Sequence, residues 1–251
     1  MERTFQFAYP VWTIPQTEQL IAEAMFGVTA LATLVYCLWV AKKEGKVWPL
    51  WVFVGACLTS AWEPFSNMLT NAAYPSGGPH PLPYFFGREI PLSVFFIYIF
   101  YIGFPVTWLY KRFGEGVTAK QMLKYMIVGL ILIASFEPYY ASRGWWKYYG
   151  AQPMNWTGQP VYYWFNNVAA VFSVAAVFYL VRKHLLTSDR QTWVFAPLSL
   201  MALWASHSTD IPIILALHNT TDSAIIMIAG LLTIALSLLI LWMVKKAIST
   251  S

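Results

Sequence analysis

Charge is what this sequence has least of. Of its 251 residues only 11% are Asp, Glu, Lys or Arg, whereas a soluble domain carries about 25%. That scarcity excludes a disordered chain, a nucleic-acid-binding surface and an ordinary cytosolic enzyme. Cysteine is limited to Cys37 and Cys57, both inside apolar runs, where packing and not a disulfide is expected. There are four histidines, His80, His184, His207 and His218, too few for a histidine-box oxygenase. The last apolar run has no lysine before Lys245, which excludes a retinal Schiff base. No G-x-x-x-x-G-K-[ST], G-x-S-x-G or H-E-x-x-H pattern is present, which argues against a P-loop motor, a nucleophile-elbow hydrolase and a zincin.

What remains is apolar: 58% of residues are hydrophobic and 18% aromatic, with a mean hydropathy of +0.53. Stretches suited to crossing a bilayer, at about 20 residues per helix, fall at 21–40, 48–63, 90–110, 122–137, 161–181, 193–217 and 223–244. The second and fourth are short unless their helices continue through Pro64 and Pro138. Basic residues then set the orientation. Lys42, Lys43, Lys46, Lys111, Arg112, Lys120, Lys124, Arg182, Lys183, Arg190, Lys245 and Lys246 all fall on one side, leaving Arg3, Arg88, Arg143 and Lys147 on the other. The positive-inside rule places the N-terminus outside and the C-terminus in the cytoplasm, as an odd number of spans requires. The expectation is an all-α, multi-pass membrane protein with seven transmembrane helices forming one domain over residues 1–251. The first 17 residues lack a basic n-region and read as an interfacial lead-in, not a cleaved signal peptide.

Six acids lie within or beside the spans: Glu23, Glu63, Glu89, Glu137, Asp210 and Asp222. The topology puts all six in the outer half. A carboxylate in hydrocarbon is costly and is normally turned inward, paired or functional, so their convergence predicts one polar chamber opening toward the outer leaflet. Glu23 and Glu89 are also compatible with simple solvation at the interface. Trp62-Glu63-Pro64-Phe65 recurs as Phe136-Glu137-Pro138-Tyr139, and Asp210-Ile211-Pro212 repeats the pairing of acid and proline. Proline frees the carbonyl four residues back, and helices broken in this way are tolerated where they line a cavity. Trp204, His207 and Asp210 follow i, i+3, i+6 spacing and share a face; Asp210 is placed to orient His207 or hold its charge. Asn67 and Asn71 extend the face of Glu63, and Asn166 and Asn167 enter the fifth span at similar depth.

Aromatic residues crowd the same side: Trp62, Phe65, Tyr74, Tyr84, Phe85, Phe86, Trp145, Trp146, Tyr148, Tyr149, Trp156, Tyr162, Tyr163, Trp164 and Phe165. Most suit an interface belt. Those that turn inward would wall an apolar pocket able to stabilise a cation. Acid-initiated rearrangement of a lipophilic isoprenoid needs such a wall, a carboxylic acid kept protonated by burial and a second carboxylate to steer or remove a proton. Glu63, Asp222, Glu137, Asp210 and His207 are the catalytic candidates. Trp62, Phe65, Asn67, Tyr139, Trp164, Asn166, Asn167 and Trp204 are the candidate substrate-binding residues. The partners expected are the lipid bilayer and a lipophilic small molecule; no metal, cofactor or nucleic acid is implied.

Ala61-Trp62-Glu63 near the end of the second span and Asp222-Ser223 at the start of the seventh resemble the seven-helix membrane terpene cyclases of meroterpenoid and bacterial terpenoid pathways. The resemblance implies that Glu63 protonates an epoxide or olefin and that Asp222 assists; Pro64 departs from the pattern. Two other classes stay open. A seven-helix lipid hydrolase would hold zinc on His207, Asp210, His218 and Asp222, although its family uses more histidines. A transporter or small-molecule receptor would also explain buried acids, but the cytoplasmic half carries no carboxylate to complete a path.

Overall fold

The computed structural model describes residues 9–85 and 88–249. The side chains of Arg3, Tyr84, Phe85, Phe86 and Arg88, named above, lie outside what is described. The chain is all-α, 77% helical, and its three two-stranded ladders are confined to connections. In chain order, α1 is Gln16–Glu44. The broken helix that follows consists of α2 (Trp48–Thr59) and α3 (Glu63–Thr70), joined by a 3-10 turn at Ser60–Trp62. Then come α4 (Leu92–Glu115), α5 (Ala119–Ser142), α6 (Tyr162–His184), α7 (Asp189–Asn219) and α8 (Ser223–Ser249). Among the described residues, six helices (α1 and α4 to α8) are long and apolar enough to cross a membrane, which fits a multi-pass membrane protein.

Each proline has a different outcome. Pro64 and Pro212 sit in the first turn after a 3-10 interruption, Ser60–Trp62 in one case and His207–Asp210 within α7 in the other. The missing N–H costs nothing in a first turn. Hydroxyls satisfy the carbonyls around both breaks: Thr59 donates to Ala56 O at 2.6 Å and Ser60 to Cys57 O at 2.7 Å. In α7, Ser206 donates to Leu203 O, Ser208 to Ala205 O and Thr209 to Ser206 O. Such side-chain bonds are how a membrane helix tolerates interruption. Pro138, by contrast, lies inside an unbroken α5. The structural counterpart of the Glu63 break is therefore in α7, not at Glu137. In α4, Pro105 cannot donate to the carbonyl four residues back, and the chain widens into a π turn over Ile99–Gly103.

The two broken helices pack side by side. A Cβ added at Gly55 would lie 2.5 Å from Ser199 Oγ and 3.0 Å from the Phe195 carbonyl oxygen, so glycine is what lets α2 approach α7. Gly55→Ala is expected to cost about 1–3 kcal/mol through overpacking. Gly114→Ala, where nothing lies within 4 Å, should be neutral or stabilising by up to about 1 kcal/mol. Melting of both variants in detergent checks the contrast; equal shifts would refute the close approach.

Helix α6 is the centre of the bundle, with Ala169, Ala170, Val174, Ala175 and Phe178 fully buried and Phe178 stacked on Phe195 at 4.3 Å. Helix α5 is the outermost: it packs on α6 and α8 and leaves Leu123, Ile127, Ile131, Leu132 and Phe136 exposed. At the basic end of the bundle, Glu44 accepts from Lys111 Nζ at 2.6 Å and Trp48 Nε1 at 3.2 Å, and Asp189 accepts from the Val47 N–H. The opposite, loop end is covered by the connections 71–91 and 143–161. Their strands β1 (Ala72–Ala73) and β4 (Lys147–Tyr148) pair antiparallel. Arg143 clamps Glu18 and Trp12 donates to Gly144 O, tying this cover to the start of α1.

Candidate active site

Beneath the cover lies a cavity of about 630 Å³ walled by α3, α4, α5 and α6, within the range of small-molecule sites. Glu63, Asn67, Glu137, Asn167 and His207 gather at its loop end. The remaining wall is apolar and aromatic, contributed by residues such as Phe104, Trp108, Phe136 and Tyr140.

Glu63 heads α3, is 7% exposed and accepts one hydroxyl on each oxygen: Tyr74 donates to Oε1 and Tyr98 to Oε2. Tyr98 comes from α4 and Tyr74 from the cover, so closing the loop end and completing the Glu63 site are one event. Burial, reinforced by the Glu63 carboxylate, pushes the Tyr74 phenol well above its ordinary range; the hydroxyl therefore stays protonated and donates. Glu137, from α5, accepts from Asn167 Nδ2 at 2.7 Å on Oε1, and Tyr101 donates to the Asn167 carbonyl at 2.7 Å. Its second oxygen is buried and makes no well-formed hydrogen bond, with the buried side-chain amide of Gln159 the neighbouring donor. His207 Nδ1 lies 2.9 Å from Asp210 Oδ2, and Asn166 Nδ2 donates to Asp210 Oδ1 and to Thr209 Oγ1. The adjacent asparagines of α6 thus each hold a different acid.

Of the catalytic candidates, Glu63, Glu137 and His207 line one cavity, and Asp210 stands behind His207. Asp222 is not brought to it. Asp222 is exposed, and its Oδ1 accepts from the N–H groups of Ala224 and Ile225; this caps α8, where an acid is favoured by unsatisfied amides and the helix dipole. Asp222→Ala is therefore expected to cost about 1 kcal/mol of stability, the usual value of a cap, and to leave activity within about twofold. Paired melting and turnover measurements check this; a catalytic loss would restore Asp222 to the site. His218 does not pair with Asp222 either: its Nε2 donates to the Leu69 carbonyl at 2.9 Å. The set His207, Asp210, His218, Asp222 is not assembled, and no group of three possible metal ligands occurs among the described residues.

The substrate-binding candidates divide in the same way. Asn67 and Asn167 line the cavity. Trp62 is buried behind it, its ring 4.7 Å from Trp204 and 5.3 Å from His207, and Phe65 stacks on Trp62 and meets the edge of Trp204. Trp204 is 46% exposed on the outside of the bundle. Asn166 works on Asp210, Tyr139 is exposed on α5, and Trp164 is half-buried with its indole N–H unpaired. Glu23 and Glu89 serve the cover: His80 Nδ1 lies 2.8 Å from Glu23, and Glu89 accepts from the N–H groups of Gly77 and Gly78. Tyr98 and Tyr101, the α4 hydroxyls that reach the two acid centres, escaped the sequence reading. Their signal, two hydroxyls three residues apart, is diluted by the other aromatic and hydroxyl residues of α4.

Comparison with protein families, with characterised proteins and with solved structures finds no match to this chain.

Proposed function

We propose that this protein is a membrane-embedded, acid-initiated cyclase or isomerase of a lipophilic isoprenoid, with its N-terminus outside and its acid cluster in the outer half of the bilayer. The observation that carries the reading is one cavity holding two separate carboxylates, Glu63 and Glu137, at a polar end and an aromatic wall along the rest. Glu63, in its carboxylic acid form, is the proton donor: its O–H proton passes to the terminal epoxide or olefin of the substrate, leaving the carboxylate, and Tyr74 and Tyr98 hold its orientation. The resulting carbocation is shielded by tyrosine, phenylalanine and tryptophan rings, whose faces carry negative electrostatic potential. Glu137, with one oxygen fixed by Asn167 and the other unpaired, removes the final proton. The overall change is an isomerisation: one proton enters and one leaves. His207, its Nδ1 held by Asp210, keeps Nε2 for returning protons to the cluster.

One observation favours a second reading. The side-by-side packing of two helices each interrupted by a 3-10 turn, α2–α3 and α7, resembles the paired broken helices of secondary transporters. Reconstitution in liposomes separates the two. A prenyl epoxide supplied to the proteoliposomes should be converted to a cyclised isomer of unchanged mass. Intact epoxide accumulating in the lumen would instead support transport and overturn the enzymatic reading.

A further inference from the structure

The cavity is shut at the loop end but open at its side. At the loop end, Trp146, Tyr74 and Tyr148 form its ceiling, and the cover above them is fixed by the β1–β4 ladder and by Gln152, which donates to Thr70 O and accepts from Tyr162. At the other end, Trp108 and Tyr125 meet edge to face at 4.6 Å, with Lys124 beside them. Along the side, α5 turns away to pack on α6 and α8. Phe100 and Phe104 of α4 and Leu132 and Phe136 of α5 line the cavity, yet are 40–51% exposed on the apolar exterior. Residues that belong to both surfaces mark an opening, and this one is rimmed by exposed apolar side chains.

The polar end asks for a ligand. Asn67 is 1% exposed and neither its amide nitrogen nor its oxygen has a partner; Glu137 Oε2 and Trp146 Nε1 are likewise buried and unpaired. Buried polar atoms are nearly always satisfied, so four unpaired atoms on three residues that line one cavity suit an oxygen-bearing terminus reached by small side-chain rotations. The long axis lies along α5. Lys124 is 13 residues before Glu137, about 20 Å along a helix, and Gly129 is eight residues before it, about 12 Å. At Gly129 an added Cβ would meet only Val168, at 3.4 and 3.5 Å, and Val168 is itself cavity wall. A larger side chain there would fill the lumen partway down.

We propose that a single-chain lipid loads from the bilayer through the gap between α4 and α5, with its oxygen-bearing end on Asn67 and Glu137, and that Gly129 sets the chain length admitted. This deepens the isoprenoid reading and rests on it for the chemical class of the chain. The test is binding of tritiated geranylgeraniol and geraniol to the full chain in nanodiscs. The wild type should bind geranylgeraniol about 10-fold more tightly or better, because the longer chain buries more apolar surface. Gly129→Phe should lose most of that preference while holding geraniol within about twofold, whereas Ile131→Phe, on the exposed face of α5, should change neither. Should Gly129→Phe not accumulate, Leu132→Trp at the opening serves instead and is expected to slow geranylgeraniol loading. No length preference in the wild type, or equal loss for both alcohols in Gly129→Phe, would overturn the proposal. Binding is read without turnover, so length-selective binding by a protein that cyclises nothing would leave this inference standing and remove the cyclase reading.

Discussion

Glu63→Gln is expected to lower the initial rate on a prenyl epoxide by about 10²- to 10⁴-fold, the usual worth of a positioned general acid, while the protein still inserts and melts close to the wild type. The second half of this expectation follows from the local geometry. Glutamine keeps the volume of the side chain and one carbonyl acceptor for a tyrosine. Its amide donates to the other tyrosine oxygen, which needs only to rotate its own O–H. Both hydroxyls reaching Glu63, from Tyr74 and Tyr98, therefore keep a partner, and the cost is confined to one rotated hydroxyl hydrogen and the second amide hydrogen. Initial rates in nanodiscs with a parallel melting curve check both halves. A Glu63→Gln protein that turns over normally would remove Glu63 as the donor.

The second large effect is expected at Glu137, and it should differ in kind. Glu137 lines the cavity and keeps one buried oxygen outside the hydrogen bond from Asn167, which suits a group that accepts a proton at the end of a reaction. Glu137→Gln should cut the yield of the principal product by about 10²-fold. Cation formation at Glu63 is retained, so the surviving turnover should divert to isomers with displaced double bonds or to water-quenched alcohols. Product analysis by gas chromatography and mass spectrometry separates this from a merely structural loss, which would lower all products together. A variant that makes the wild-type product in the wild-type ratio would exclude Glu137 from proton removal.

These expectations show which parts of the molecule are legible in its sequence. Acids are expensive inside apolar runs, so Glu63, Glu137 and Asp210 stand out at once, and with them the asparagines that hold two of them. The apolar helices are legible for the same reason, six of them long enough to cross a membrane, although the second apolar stretch continues past Glu63 to Thr70 and the fourth runs unbroken through Pro138 to Ser142. Asp222 misleads because an acid at a span boundary fits a chamber wall and a helix cap equally well; the following Ser-Ala-Ile and the amides it receives decide for the cap. The equivalence of the Glu63 and Glu137 motifs is a likeness of letters. The broken partner of α2–α3 is in α7, where the hydroxyls of Ser206, Ser208 and Thr209 satisfy the carbonyls around the break, a device that depends on hydrogen-bond geometry and not on the proline alone. Tyr98 and Tyr101 are hidden in a chain so rich in aromatics that two more carry no pattern. The cover is hidden too, because its two-residue ladders exist only through tertiary contact.

The central claim is that this cavity converts a lipid by proton transfer from Glu63. The most direct measurement is the identity of the product when one prenyl epoxide is incubated in nanodiscs with the wild type and with Glu63→Gln, side by side. A cyclised isomer of unchanged mass from the wild type, and unreacted epoxide from the variant, is the predicted result. The same product at the same rate from both proteins, or unreacted epoxide from both, would contradict it.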